Sequence, residues 1–177
     1  MPASREELVR QIADATDLDP LSRLLAPIVG ELCWGVVFSY GDELRVDCGE
    51  RIPYRHPKLA GKARGAWTIG ARASPWELTR DDDRVASTSD DSDTMRERVG
   101  VLAGLRVEAC EARFPDLQLA VSFSEGLVLR IGPEGPAGRP PPPGPLAYWE
   151  VFTPNRMVLS AGPGPKWSYL RADEPMK

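Results

Sequence analysis

The spacing of apolar positions changes once along this chain, from helical to alternating, and that change organises the reading. Leu8, Ile12 and Ala15 recur at helical intervals behind Ser4 and Glu7, which have the spacing of a capping box, and together they predict a helix over 5–16. Asp17 and Asp19-Pro20 interrupt it. Asp19 as N-cap, with Pro20 at the first helical position, opens a second short helix carrying Leu21, Leu24, Leu25 and Ile28. From Glu31 the period shortens to two. Residues 32–39 form one β-like run, and Leu44, Val46 and Cys48 alternate with Arg45 and Asp47. Tyr40-Gly41-Asp42-Glu43 between them has the composition of a tight turn, so the pair predicts a hairpin.

Residues 50–65, rich in Arg, Lys and Pro, read as a loop. Trp67 to Ala73 and Trp76 to Thr79 read as extended segments broken by Ser74-Pro75, where proline marks an edge or a bulge. An Asp- and Ser-rich connection spans 81–93, and Asp93 or Thr94 caps a helix near 94–103 that stops at Gly104. Leu105, Val107 and Ala109 alternate, as do Leu117, Leu119, Val121 and Phe123, and then Leu127, Leu129 and Ile131. With turn residues between them, these three predict a meander. Residues 132–145 contain four consecutive prolines and read as an extended polyproline-like loop. Two last strands, 148–152 and 157–159, precede a Pro/Gly-rich tail that Trp167 and Tyr169 can pin.

The fold class expected is therefore α+β: an N-terminal helical segment (1–29) packed on a mainly antiparallel sheet (30–160), one further helix near 94–103, and a tail (161–177), all in a single domain. Residues 30–48 and 104–131 each open on a Gly and close on an alternating strand, and Ala66-Trp67 and Tyr148-Trp149 each precede strand, Pro and strand. That echo is the pattern of an internal duplication.

Composition narrows the picture. A chain of 177 residues with 42% apolar side chains can close one core of ordinary size. Its 22 basic and 26 acidic side chains, with pI near 5.2, withhold the overall positive field of a general nucleic-acid binder. No run of eighteen apolar residues occurs and the first residues are acidic, so the expectation is a cytoplasmic protein that does not enter membranes. Cys33, Cys48 and Cys110, odd in number and without a Cys-x-x-Cys, read as buried reduced thiols.

The standard catalytic constellations are missing from the sequence. His56, the only histidine, stands between prolines in the basic loop, and no Gly-x-Ser-x-Gly occurs. Ala60-Gly61-Lys62-Ala63 lacks the first Gly and the hydroxyl residue of a P-loop, and the aspartates of 81–93 lack the Gly and Glu of a calcium loop. No catalytic residue, metal site or cofactor is assigned.

Charge segregation remains. Residues 51–72 hold Arg51, Arg55, Lys58, Lys62, Arg64 and Arg72 and no acid, whereas 77–97 hold eight acids against three Arg. Asp81, Asp82, Asp83, Asp90, Asp91 and Asp93, with Trp67 and Trp76 beside them, make the candidate partner-binding set. Arg51, Arg55, Lys58, Lys62 and Arg64 make the alternative, a phosphate-binding set.

Gly65-Ala66-Trp67, Pro75-Trp76-Glu77-Leu78, the Leu117–Ile131 meander and Tyr148-Trp149-Glu150-Val151-Phe152 together resemble a group of small uncharacterised actinobacterial proteins over about residues 28–160. Glu77 departs from that pattern, which has Arg there. Their size and α+β build are similar to those of immunity and defence-accessory proteins. What the resemblance implies is a non-enzymatic protein-interaction module with a protein partner encoded nearby; a nucleotide or nucleic-acid binding module is the alternative.

Overall fold

The structure is a computed structural model that describes residues 6–39, 41–72, 74–133 and 146–172. Among these residues it contains two helices, α1 (Asp19–Leu25) and α2 (Ser92–Val99), and twelve strands: β1 (Leu8–Gln11), β2 (Cys33–Ser39), β3 (Glu43–Pro53), β4 (Ala63–Ala71), β5 (Trp76–Arg80), β6 (Asp83–Ser87), β7 (Val107–Ala112), β8 (Leu119–Phe123), β9 (Leu127–Ile131), β10 (Trp149–Phe152), β11 (Met157–Ala161) and β12 (Lys166–Arg171). They form two antiparallel sheets. One runs β1-β12-β11-β10-β4-β3-β2, the other β6-β5-β9-β8-β7. The molecule is thus mainly sheet, with the helices at its margins: α1 against β7, and α2 against β6 and β2.

The N-terminal segment departs from expectation. In place of a helix over 5–16, Leu8 to Gln11 pair with Tyr169 to Lys166 of β12, so a distant partner overrides the local capping pattern. The capping box lies further on, where Asp14 and Asp17 close a short 3-10 turn at Ala15–Leu18. Asp17 accepts from the backbone N–H groups of Ala13 and Asp14, and those bonds hold its carboxyl below the usual range. Within the expected 161–177 tail, Lys166–Arg171 form β12, which pairs with β11 and β1. Trp167 still anchors it, through Nε1–H to the Asp17 carbonyl at 3.1 Å.

The predicted hairpin and the 105–131 meander are both present. Residues 50–65 are not one loop, because β3 continues to Pro53 and β4 starts at Ala63. The 81–93 connection contains β6. Helix α2 starts two residues earlier than 94 and is capped by Asp91, and the expected polyproline-like loop falls largely on 134–145, outside the described residues.

The echo in the sequence is a structural repeat. Each half holds a short helix, a 3-10 turn, a Gly at φ near +90° (Gly30 at 93°, Gly104 at 95°) and a three-strand meander. Each meander is then extended by strands of the other half: β4 pairs with β10, and β9 pairs with β5. Reciprocal bonds mark the pseudo-twofold axis. Gly30 N–H donates to Val107 O and Gly104 N–H to Cys33 O, both at 2.7 Å; Cys33 N–H donates to Leu105 O (2.8 Å) and Val107 N–H to Glu31 O (3.0 Å). Leu32 and Arg106 bridge at the axis itself. The repeat equates Trp149 with Trp76, not with Trp67: Trp76 Nε1–H donates to Asp42 O (2.8 Å), and Trp149 Nε1–H to the corresponding Leu117 O (2.7 Å).

One buried cluster joins the apolar faces of both sheets with Leu21, Leu25 and Ile28 from the first helical segment and Met95, Val99 and Leu102 from the second. Cys33 and Cys48 are direct cross-strand partners and are disulfide-bonded, correcting the expectation of three reduced thiols; Cys110 is free and buried. Sequence spacing carried no sign of the pairing, which depends on strand register. Among the described residues, no helix is long and apolar enough to cross a membrane.

Candidate interaction surface

The longest strand carries the basic residues out of the sheet. Up to Cys48, β3 lies between β2 and β4; beyond a register shift, Arg51 to Pro53 pair only with Gly65 to Ala63. β10 accompanies β4 no further than Thr68, opposite Phe152. Residues 51–65 therefore form a two-stranded ribbon projecting past the neighbouring strands.

Its root is tightly specified. Gly49 takes φ +79°, and a Cβ there would stand 2.7 Å from Glu31 Oε2. A Cβ on Gly65 would meet the backbone N and O of Cys48 at 2.6 Å, so glycine alone permits this approach of the two strands. Asp47, 2% exposed, accepts from Gly65 N–H and Thr68 Oγ1–H, both at 3.0 Å, and from Arg45 at 3.1 Å. Burial works against the Arg45 charge, but Asp47 and Tyr54 beside it raise its pKa above the ordinary value. Trp34 closes the root by donating to Gly49 O (2.9 Å), and the Arg51 guanidinium lies over its ring at 4.1 Å.

The tip is a built turn. His56 Nδ1 accepts from Lys58 N–H (3.1 Å) and caps a 3-10 turn at Pro57–Leu59; Tyr54 N–H donates to Lys62 O (3.1 Å), and Lys62 N–H to Leu59 O (3.0 Å). His56 thus serves the turn. Arg55, Lys58 and Lys62 are exposed, and Arg64 is half-buried. Residues 51–64 contain these four cations and Arg51, five in all, and no acid; setting the five aside, the chain's 22 basic side chains fall to 17 against 26 acidic. No ion pair among the described residues engages any of the five. Arg72 does not join them, standing on the outer sheet face within 4.0 Å of Glu43 and Glu150. Burial pushes the Glu150 carboxyl up, Arg72 draws it down, and Glu43 adds to the rise.

The acidic residues serve several ends. Asp81 and Asp82, at φ +49° and +70°, form the turn between β5 and β6, and Asp83 opens β6. Asp90 accepts from Ser87 N–H (2.9 Å) and pairs with Arg84 (3.0 Å). Asp91 caps α2 through Thr94 N–H (2.9 Å), which holds its carboxyl below the usual range, and Asp93 lies in the helix's first turn. Trp67 and Trp76, 5% and 0% exposed, are core residues that present no side chain to a partner, since both sheets close over them. No ion pair among the described residues joins the acidic segment to the ribbon.

A depression of about 370 Å³ on the outer face of the larger sheet is lined by Val9, Leu146, Glu150, Lys166, Ser168 and Leu170. No group of three or more His, Cys, Asp or Glu among the described residues is placed to hold a metal ion. Among the residues around the ribbon, Asp47 and Trp34 were not expected from the sequence, whereas Tyr54 in the basic segment was a candidate for stacking a base. The signals available were the Trp34-Gly35 and Gly65-Ala66-Trp67 pairs, where small residues beside Trp imply close backbone approach. Compared with protein-family models, curated proteins and solved structures, the chain matches none.

Proposed function

We propose that this protein is a non-enzymatic interaction module that docks the β3–β4 ribbon onto an acidic surface of a protein partner. The supporting observation is the ribbon: five cations with no acid among them, none engaged in an ion pair among the described residues, on a hairpin whose root is held by Asp47, Gly65 and the Arg51–Trp34 stack. An immunity-type or defence-accessory role, with the partner encoded nearby, follows from the resemblance drawn above. Co-expression of the tagged chain with the products of neighbouring genes tests it. The wild type is expected to retain a partner that Arg55→Ala/Lys58→Ala/Lys62→Ala loses while keeping its circular dichroism; a wild type that retains neither another protein nor a further copy of itself overturns the reading.

The same ribbon supports a second reading, nucleic-acid binding, because an unbroken set of cations beside Trp34 and Tyr54 also suits a phosphate backbone. It predicts affinity for single-stranded or duplex DNA or RNA that falls steeply with salt and disappears in the triple variant. The cytoplasmic placement has the Cys33–Cys48 disulfide against it, since reducing compartments keep thiols reduced.

A further inference from the structure

The pseudo-twofold axis places the two charged poles. Under it the β3–β4 ribbon corresponds to the β8–β9 turn at Ser124–Gly126, because β3 and β4 correspond to β8 and β9. The acidic turn rests on that second position: Asp81 N–H donates to Gly126 O at 3.1 Å, and a Cβ on Gly126 would collide with the Asp81 carboxylate. The acidic turn therefore sits beside the twofold mate of the ribbon's position, across the Leu32–Arg106 bridge from the ribbon itself. Within one chain they do not pair.

Around the acidic turn two cations are already engaged. Arg84 is held by Asp90 at 3.0 Å and Arg80 stands 4.0 Å from Glu125, whereas Asp81, Asp82, Asp83, Asp91 and Asp93 enter no ion pair among the described residues. Asp82, Asp83 and Asp93 are exposed, and the Arg84–Asp90 pair ties the start of α2 to β6, keeping these carboxylates at one end of the smaller sheet.

We propose that the acidic partner of the ribbon is a second copy of this chain, whose Asp81–Asp83 turn and α2 start receive Arg55, Lys58 and Lys62 in a head-to-tail contact. This rests on the ribbon being the docking element. The contact joins unlike surfaces, so each copy keeps one free pole, and assembly continues into a ring or an open chain. Exposed charges drive it, so it responds to ionic strength.

The test is sedimentation velocity of the full chain over a concentration series, at about 0.01 M and about 1 M salt, where the screening length is about 30 Å and about 3 Å. Mass is expected to climb above the 19.4 kDa monomer with concentration at low salt and to return to it at high salt. A ribbon variant (Arg55→Glu/Lys58→Glu/Lys62→Glu) and an acidic-pole variant (Asp82→Asn/Asp83→Lys/Asp93→Lys) are each expected to remain monomeric at low salt. Asp91 is kept because it caps α2, and Asn is chosen at 82 because it tolerates positive φ. Mixed in equal amounts, the two variants are expected to associate, because the intact ribbon of one meets the intact acidic pole of the other and their two reversed poles are also opposite in charge. A neutral ribbon variant (Arg55→Gln/Lys58→Gln/Lys62→Gln) is expected to remain monomeric as well, which covers the event that charge reversal disturbs the fold.

A wild type that stays at 19.4 kDa at low salt, or folded variants that ignore each other, overturns self-association. If such a wild type still captures another protein through the ribbon, the interaction module stands without the second copy. If the ribbon variants change neither measurement, both proposals fall.

Discussion

Asp47 holds the root of the ribbon with one carboxylate, and its cost and benefit follow from its surroundings. It is 2% exposed, so its charge is tolerated only because Gly65 N–H, Thr68 Oγ1–H and Arg45 surround it. Replacing it with Ala leaves two buried donors and Arg45 without an acceptor. Arg45 is a third exposed and can recover water, so Asp47→Ala should cost about 3 kcal/mol, the lower end for breaking a buried pair. Asp47→Asn, which keeps an acceptor, should cost less; urea unfolding monitored by Trp fluorescence measures both. Cys110 belongs at the same scale. Burial, reinforced by Glu111, pushes its thiol up to about 12. The native protein should not react with a thiol reagent near neutral pH. In denaturant one thiol should titrate without reductant and three after reduction; three without reductant would mean that Cys33 and Cys48 are not joined.

At the scale of elements, α2 shows how a short helix is held. Eight residues are too few to be stable alone, so the cap and the contacts with β6 and β2 carry it. The Asp91 carboxyl titrates below its ordinary value because Thr94 donates to it through N–H and Oγ1–H. A lowered folded pKa means that the ionised cap's contribution is complete above the ordinary carboxylate range and is lost as pH falls through the folded value. Asp91→Asn keeps the oxygen acceptor without the charge. The midpoint of thermal unfolding should therefore drop most at neutral pH, and the gap from wild type should close as the solution is acidified. A gap independent of pH would remove the charge from this account. The ribbon is the other instructive element. Its strands were unreadable in 50–65 because Pro53 and Pro57 signal a loop, and pairing beyond a bulge requires Gly65 to meet the Cys48 backbone.

In the whole molecule, neither half owns a complete sheet. The first meander is extended by β10, β11 and β12, and the second by β5 and β6. A fragment of residues 1–103 would expose the β4 edge that β10 covers and would leave β5 without β9. It should show no cooperative unfolding transition, and a fragment that unfolds cooperatively would contradict the exchange. The hairpin, the meander, the strands at 76–79, 148–152 and 157–159 and the segregation of charge were legible in the sequence, because alternation, turn residues and side-chain type are local. The helix expected at 5–16, the unpaired tail expected at 161–177 and the reduced thiols expected at Cys33 and Cys48 were not, because each turned on which strand pairs with which: β12 with β1, β1 and β11 with the tail, and the cross-strand register of β2 and β3 for the cysteines. By itself, then, the sequence determined the hairpin and meander strands and where the charges lie. The tertiary structure alone decided which sheet each strand joins, that Trp67 and Trp76 are core, and that the cations stand free on a ribbon, because pairing and burial are settled by contacts between residues a hundred or more positions apart as well as by near ones.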